Sequence, residues 1–475
     1  MIRLSRRRFL ATGAALAAFA PAVRAASDAS AIELAIATRT LEVKGKAAKV
    51  FGLLQPNGTH GLAMNAGERF RVRLSNAVQE PALIHWHGLT PPNGQDGVPG
   101  VTQPPLAPGE RHDYDFAVAL PGTNWMHSHH VLQEQSLMAA PLIVRDPKDA
   151  ALDEQEVVIL LHDFTFQVPD EILSNLSRGM SDDHGAMAGG AQDPGHDMSQ
   201  MPDNMGMDLN DVSYDAFLAN DRTLDDPEVV RVDKGQRVRL RIINAASATN
   251  FMIELGGLSG SLTDVDGRPI VPVIGSRFPL AVAQRADVRV TLPAGDGAWP
   301  VLFQREGDTA LTGVMLATKG GTVAKVADQA HHAIGAIERA APMLYQAAEP
   351  LPERRADRAL KIDLTGSMMT YRWGIEEKAA MAHHAHLAVQ EGERVEMTLT
   401  NRTEMSHPMH LHGHHFQVVA VNGARVNGAM RDTELVPVGG SVTLAFDASN
   451  PGKWMFHCHN LYHMQSGMMT QVRYL

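Results

Sequence analysis

Apolar and polar residues alternate in short runs along most of this chain, and Gly, Pro or Asn closes each run. In GERFRVRLSN (67–76), Phe70, Val72 and Leu74 stand at every second position, which puts them on one face of a strand. The same cassette recurs as KGQRVRLRIINAAS (234–247) and EGERVEMTLTN (391–401), each with a glycine turn, an alternating strand and an asparagine turn. A second strand type recurs as GERHDYDFAV (109–118), RADVRVTLPA (285–294) and GGSVTLAFDA (439–448). Helical periodicity is rare. Three copies about 160 residues apart predict an all-β chain of three similar β-sandwich domains, over 27–148, 149–318 and 356–475. Residues 319–355, richer in Ala and charge, read as a linker. Residues 173–218, rich in Gly, Asp and Met and without strand pattern, read as an insertion in the second domain.

Residues 1–26 follow a different rule. Arg3, Arg6, Arg7 and Arg8 precede an apolar run from Phe9 to about Ala22, and Val23-Arg24-Ala25 gives the run a small-residue end. The run is too short to cross a bilayer and reads as a secretory signal. Ser5-Arg6-Arg7-Arg8-Phe9-Leu10 resembles a twin-arginine signal, with an ordinary secretory signal as the alternative. The expectation is a monomer without a membrane span, handed to the twin-arginine machinery and delivered to the periplasm. A formal charge of −11 argues against a nucleic-acid partner. Removing the five arginines of residues 1–26, which hold no acid, leaves −16.

The chain has one cysteine, Cys458, so no intramolecular disulfide forms. It stands between His457 and His459 in PGKWMFHCH (451–459), which matches PGTNWMHSH (121–129); likewise IHWHG (84–88) matches MHLHG (409–413). Four His-x-His pairs therefore occupy matched places in the first and third domains, and the second domain has none. A strand turns both imidazoles of a pair one way, so eight can converge if the two domains pack together. No ordinary core needs eight histidines, and metal binding is the reading they support. Cys458 then faces the other way, toward His407, His463 and Met468. A Cys/His/His set with a weak axial Met is a blue-copper arrangement. A catalytic thiol paired with a neighbouring histidine is the alternative, but it leaves the other three pairs unexplained.

HWHG, HSH, HPMHLHGHHF and HCHNLYHMQSGMM resemble the four copper signatures of the multicopper oxidases, the family of laccases and cuprous oxidases. The resemblance covers the whole mature chain and implies three cupredoxin-like Greek-key domains holding four copper ions. By position it implies His407, Cys458 and His463 on a mononuclear blue copper, with Met468 axial. It implies His85 and His410 on the single copper of a trinuclear cluster. His87, His127, His129, His412, His457 and His459 would hold the cluster's dinuclear pair. It also implies four one-electron oxidations at the blue copper coupled to reduction of O₂ to two waters, with Cys458 linking the sites through its histidine neighbours. Asp96 matches an acid that the family places near the cluster, and is expected to relay protons and support a ligand. Some bacterial relatives carry a glutamate directly after the residue matching His463; here Met464 stands there, which leaves the identity of a second proton donor open.

The substrate is the less determined part. Between Met180 and Met207 lie six methionines, with His184 and His196. Thioethers select Cu(I), and the −16 charge suits a cation. Met198, Met201, Met205 and Met207, together with Met405 and Glu404 beside His407, are the candidate substrate residues. Oxidation of Cu(I) in copper detoxification is the favoured expectation. A laccase acting on phenols, an Mn(II) oxidase, and a copper-sequestering protein with incidental oxidase activity are the alternatives. His383, His384 and His386 read as a polar turn rather than a further metal site, and His130, His414 and His415 as neighbours of ligands.

Overall fold

The structure, a computed structural model, describes residues 31–178, 209–339, 345–377 and 386–475. The signal segment, Met198, Met201, Met205, Met207, His383 and His384 lie outside the described residues.

The two recurring strand types pair with each other in every copy. Arg69–Asn76 runs antiparallel to Arg111–Ala117, Arg237–Asn244 to Arg285–Thr291, and Arg394–Asn401 to Ser441–Asp447. On its other side each first-type strand pairs in parallel with Ile32–Val43, Glu154–Phe164 or Arg358–Ser367. A second sheet faces each of these. In the first unit its order is Leu62–Asn65, Ala139–Arg145, Gly122–Ser128, Ile84–His85. In the third it is Leu387–Val389, Met469–Tyr474, Lys453–Cys458, His407–Leu411, Thr433–Val436. The same order recurs in the second unit, from Val229–Arg231 through Leu311–Ala317, Ala298–Arg305 and Phe251–Glu254 to Arg277–Leu280.

The asparagine that closes each cassette has one job in all three. Asn76 donates from Nδ2 to the carbonyls of Glu80 and Leu106, and its Oδ1 accepts from Val78 N. Asn244 binds Thr249 O, Leu280 O and Ala246 N in the same way. Asn401 binds Met405 O, Val436 O and Thr403 N. A short amide that satisfies three backbone groups makes a stable turn off the strand end. In the third unit that turn leads directly into His407.

Alternation along these strands fills three cores. Phe70, Val72 and Leu74 lie in the first, Val238, Leu240 and Ile242 in the second, Val395, Met397 and Leu399 in the third. Among the described residues the α-helices are Pro169–Arg178 and Leu461–Gln465, and none is long and apolar enough to cross a membrane. Pro169–Arg178 takes in Leu173, and Ala216–Ala219 is a strand, so the stretch read as irregular over 173–218 carries regular structure at both ends.

Candidate metal centre

The strands that carry the histidines are neighbours within each sheet. His85 stands opposite His127, and His410 opposite His457, while Met409 stands opposite Cys458. Alternation then sorts the side chains. Trp86, between His85 and His87, turns into the first core against Phe70 and Tyr114. The imidazoles turn outward, and those of the first and third units meet. His85 stacks on His412 with ring centres 3.8 Å apart, and His87 on His410 at 3.7 Å. Gly88 ends the first pair at φ +91°; a side chain there would collide with Asn124 and the Arg285 guanidinium.

Eight histidines so gathered fall into groups by ring distance. His87, His127 and His459 lie 4.9–5.7 Å apart, and His129, His412 and His457 5.1–5.2 Å. His85 and His410, at 5.7 Å from each other, complete the ring of eight. Outer partners fix which nitrogen points inward. Nδ1 of His85, His410 and His457 faces the carbonyls of Asp96, Asp432 and Cys458 at 2.8–3.0 Å. A carbonyl only accepts, so those Nδ1 atoms carry the proton and Nε2 the lone pair. His412 does the same through Asp96 Oδ2 at 2.8 Å, and His87, reversed, gives Nε2–H to Asp432 Oδ1 at 2.9 Å.

Nε2 of His85, His127, His410 and His459 and Nδ1 of His87 are buried without a hydrogen-bond partner. Nε2 of His457 lies 3.0 Å from that of His412 and 3.4 Å from that of His129. Burial, followed by mutual repulsion, holds His87, His127, His129, His410 and His412 well below the usual imidazole range, and His457 and His459 at about 3. Neutral imidazoles with lone pairs converging in a dry space are a donor set for cations. His129, His412 and His457 bring ligand atoms within 4.8 Å of one another, as do His85, His410 and His412.

On the other side of the strand, Cys458 Sγ lies 3.7 Å from His407 Nδ1 and 3.8 Å from His463 Nδ1, and those two nitrogens are 3.1 Å apart. The Leu461–Gln465 helix turns the chain back to bring His463 there. Asn460 caps it, its side chain accepting from Tyr462 N and His463 N. Met468 is buried in the same core, and its carbonyl accepts from Cys458 N at 3.0 Å. Burial pushes the Cys458 thiol well above its ordinary range, so a bound cation is needed to hold the thiolate. Soft sulfur with two imidazoles fits copper, and the imidazole-only cluster fits copper equally.

Asp96 lies where the two halves of the cluster meet, bonded to His412 and 3.2 Å from His85 Nδ1. Met405 is buried, with its carbonyl taken by Asn401 and Thr403, and Glu404 is exposed. His414 is pinned between His412 O and the Tyr474 hydroxyl, away from the cluster. Four outer residues carried no signal in the reading of motifs. Glu134 Oε2 lies 2.7 Å from His127 Nδ1, which also faces the Ser128 carbonyl at 3.1 Å. Asp432 serves His87 and His410 and is gripped by Arg285. The Thr403 hydroxyl lies 2.7 Å from His407 Nε2. Asp211, fully buried, meets His463 Nε2 at 2.7 Å and the Tyr371 hydroxyl at 2.6 Å. Glu134, five residues past His129, and Thr403, four before His407, stood close enough to a motif to be found from it.

Residues 40–149, 155–322 and 353–475 each match the multicopper oxidase family. The whole chain aligns with 97% of multicopper oxidase MmcO of Mycobacterium tuberculosis at 31% identity. This chain belongs to the multicopper oxidase family. It is therefore an oxidoreductase that uses copper, O₂ and a reducing substrate. A copper resistance protein A homolog of Pseudomonas syringae pv. tomato is 26% identical over 87% of each chain. Fet3p, a multicopper oxidase that functions in iron import, shares the fold at TM-score 0.75 and 19% identity, covering 93% of this chain and 90% of its own. The multicopper oxidase chain is thus all-β, as its alternation predicts, with cupredoxin-like domains, as the resemblance of its motifs implies.

Proposed function

We propose that this multicopper oxidase oxidises Cu(I) to Cu(II) in the periplasm, after twin-arginine export, and so lowers copper toxicity. His407, Cys458 and His463, with Met468 as a further ligand, would hold the mononuclear copper that receives electrons. His85 and His410 would hold the single copper of the cluster, and the other six imidazoles its pair. Bound copper supplies one-electron redox chemistry that lets four single-electron donations reduce O₂ to two waters. The chain's contribution is placement. Cys458 is covalently joined to His457 and His459, so the electron-receiving site and the cluster share three consecutive residues. Asp96 keeps His85 and His412 in one orientation and is the carboxylate through which protons would reach that side of the cluster.

The observation that carries the substrate is where the Met-rich segment begins and ends. Before it, Ile172 belongs to the same apolar core as Cys458 and Met468, with Leu173 and Leu176 packed on it. After it, Asp211 touches His463 and Val212 rejoins that core. Met207 and Met205 stand four and six residues from Asp211. Thioethers suit a soft cation, and the segment that holds them is followed in the chain by the residue that touches His463. His463 itself is fully buried behind Asp211, Tyr371 and Trp373, which keeps a phenol ring from stacking on it. The copper resistance relative is consistent with this reading by its name alone.

Oxygen uptake by the copper-loaded protein with Cu(I), Mn(II) and a phenol, side by side, tests it. Cu(I) should be the best reductant, and deletion of residues 181–208 should depress Cu(I) turnover while leaving phenol turnover unchanged. No Cu(I)-driven uptake above background sinks the cuprous-oxidase reading. Rapid phenol turnover unaffected by Cu(I) makes the protein a laccase.

A further inference from the structure

The two histidine triads of the cluster are not supported alike from outside. In the triad His87, His127 and His459, two rings have a carboxylate oxygen within hydrogen-bond distance, and the third, His459, has one nearby but beyond that distance. Asp432 Oδ1 takes His87 Nε2 at 2.9 Å, Glu134 Oε2 lies 2.7 Å from His127 Nδ1, and Glu134 Oε1 lies 3.7 Å from His459 Nδ1. Thr433 Oγ1 adds a contact to His87 at 3.2 Å. In the triad His129, His412 and His457, one ring has a carboxylate, Asp96 behind His412. His457 Nδ1 faces the carbonyl of the next residue, Cys458, at 2.9 Å, as His127 Nδ1 faces that of Ser128 at 3.1 Å, but no carboxylate lies beside His457 as Glu134 lies beside His127.

The supports of the first triad are themselves held. Glu134 sits in the buried turn Gln133–Ser136, whose flanking side chains are tied down. Gln133 donates to Pro81 O and accepts from Ser128. Gln135 Oε1 accepts from Ser247 at 2.6 Å and from Tyr462 at 2.8 Å, reaching the second and third units at once. Asp432 is clamped by both arms of Arg285, a fully buried residue of the second unit, which also donates to Thr123 O of the first. Glu134 and Asp432 therefore have little freedom to leave their histidines.

An acceptor behind a ligating histidine fixes its tautomer and ring angle and raises its basicity; losing one such acceptor costs about 10–100-fold in metal affinity. We infer that the cluster's two triads form unequal sockets: Glu134 and Asp432 make His87, His127 and His459 the tighter one, which takes copper before His129, His412 and His457 do. Glu134 and Asp432 are positioning residues in this scheme, acting through the rings they hold. The inference rests on the assignment of the six histidines to a copper pair, and it deepens that reading.

The test is reconstitution of the full-length apo-protein with less Cu(II) than its sites need, followed by crystallography with anomalous scattering at the copper edge to refine each position's occupancy. In the wild type, copper at His87, His127 and His459 should exceed copper at His129, His412 and His457 several-fold. Glu134→Ala should lower the first occupancy by about tenfold or more and spare the second and the Cys458 site. Glu134→Gln, which keeps an acceptor for His127 and loses the charge, should fall between them and guards against misfolding of the alanine variant. Equal occupancies in the wild type, or equal losses at both triads in the variants, overturn the inference while leaving the copper pair in place. Copper at neither triad overturns the pair assignment itself.

Discussion

Replacing Asp211 with alanine should destabilise the third unit and loosen its mononuclear site. Asp211 is fully buried, and three donors depend on it: His463 Nε2 at 2.7 Å, the Tyr371 hydroxyl at 2.6 Å and Asn460 Nδ2 at 3.4 Å. Burial alone would raise its pKa, but His463, Tyr371 and Asn460 outweigh that and hold it below the usual carboxylate range. Alanine leaves the His463 N–H and the Tyr371 hydroxyl without an acceptor in a dry place. Each orphaned group costs about 1–3 kcal/mol, so the loss should be about 2–6 kcal/mol. Tyr371→Phe alone removes one donor and should cost about 1 kcal/mol; in the Asp211→Ala background it removes an orphan and should recover stability. The double-mutant cycle, read from urea unfolding of the apo-proteins, should therefore give a coupling of about 1–3 kcal/mol between the two positions. A second readout concerns copper. The carboxylate accepts the proton on His463 Nε2 and so leaves the Nδ1 lone pair facing Cys458, 3.8 Å away. Without it the ring can take the other tautomer, and copper affinity at this site should fall about 10–100-fold, seen as loss of blue absorption to a chelator. A coupling below about 0.5 kcal/mol, with blue absorption as resistant to chelator as in the wild type, would refute the reasoning.

Two further outcomes are expected. Cys458→Ser should abolish the blue absorption and one copper per chain while sparing the eight cluster histidines, which face the other side of the strand; a variant that stays blue and active would show the sulfur assignment to be wrong. Glu306 is buried and accepts from Asn250 and Ile337 N, and burial raises its carboxyl from 4.5 to about 6. A carboxyl raised on folding stabilises the fold fully below the unfolded value and loses that contribution as pH climbs through the folded one. A tenfold change in proton affinity is worth about 1.4 kcal/mol, so wild type should lose about 2 kcal/mol relative to Glu306→Gln between about pH 4.5 and about pH 7.5. A difference in unfolding free energy that stays flat across that window would contradict it.

What could be read from residues alone follows from the range over which each feature acts. Period-two alternation is local, so the facing of each His-x-His pair, and the opposite facing of Cys458, were legible without a fold. The recurring cassettes were legible too, and the structure adds that the two recurring strand types are each other's partners, with the closing asparagine repeating the same three bonds. Of the outer carboxylates Asp96 was legible, through its place in the HWHG motif's continuation, whereas Asp432 and Asp211 were not, because nothing local marks them. Asp432 reaches His87 across 345 residues of chain, and its segment, MRDTELV, reads as an ordinary edge of a strand. Asp211 looks like the end of a Met-rich stretch until the fold brings it under His463.

The second unit is where that difference matters most. Its sequence has no His-x-His pair, and by motif it is a spacer. Yet Arg285 holds the aspartate behind His87, Ser247 holds the glutamine next to Glu134, and Asp211 holds His463. Asp211 meets His463 directly, Arg285 acts on His87 through Asp432, and Ser247 holds the residue beside Glu134, so each bears on a group whose orientation decides where a lone pair points. A ligand set drawn from two domains needs a third body to keep them in register, since buried charges and amides specify one arrangement where apolar packing tolerates several. The middle unit supplies that body, so substitutions at Arg285 or Ser247, in the unit that holds no ligand, should alter copper content before they alter the fold of either outer unit.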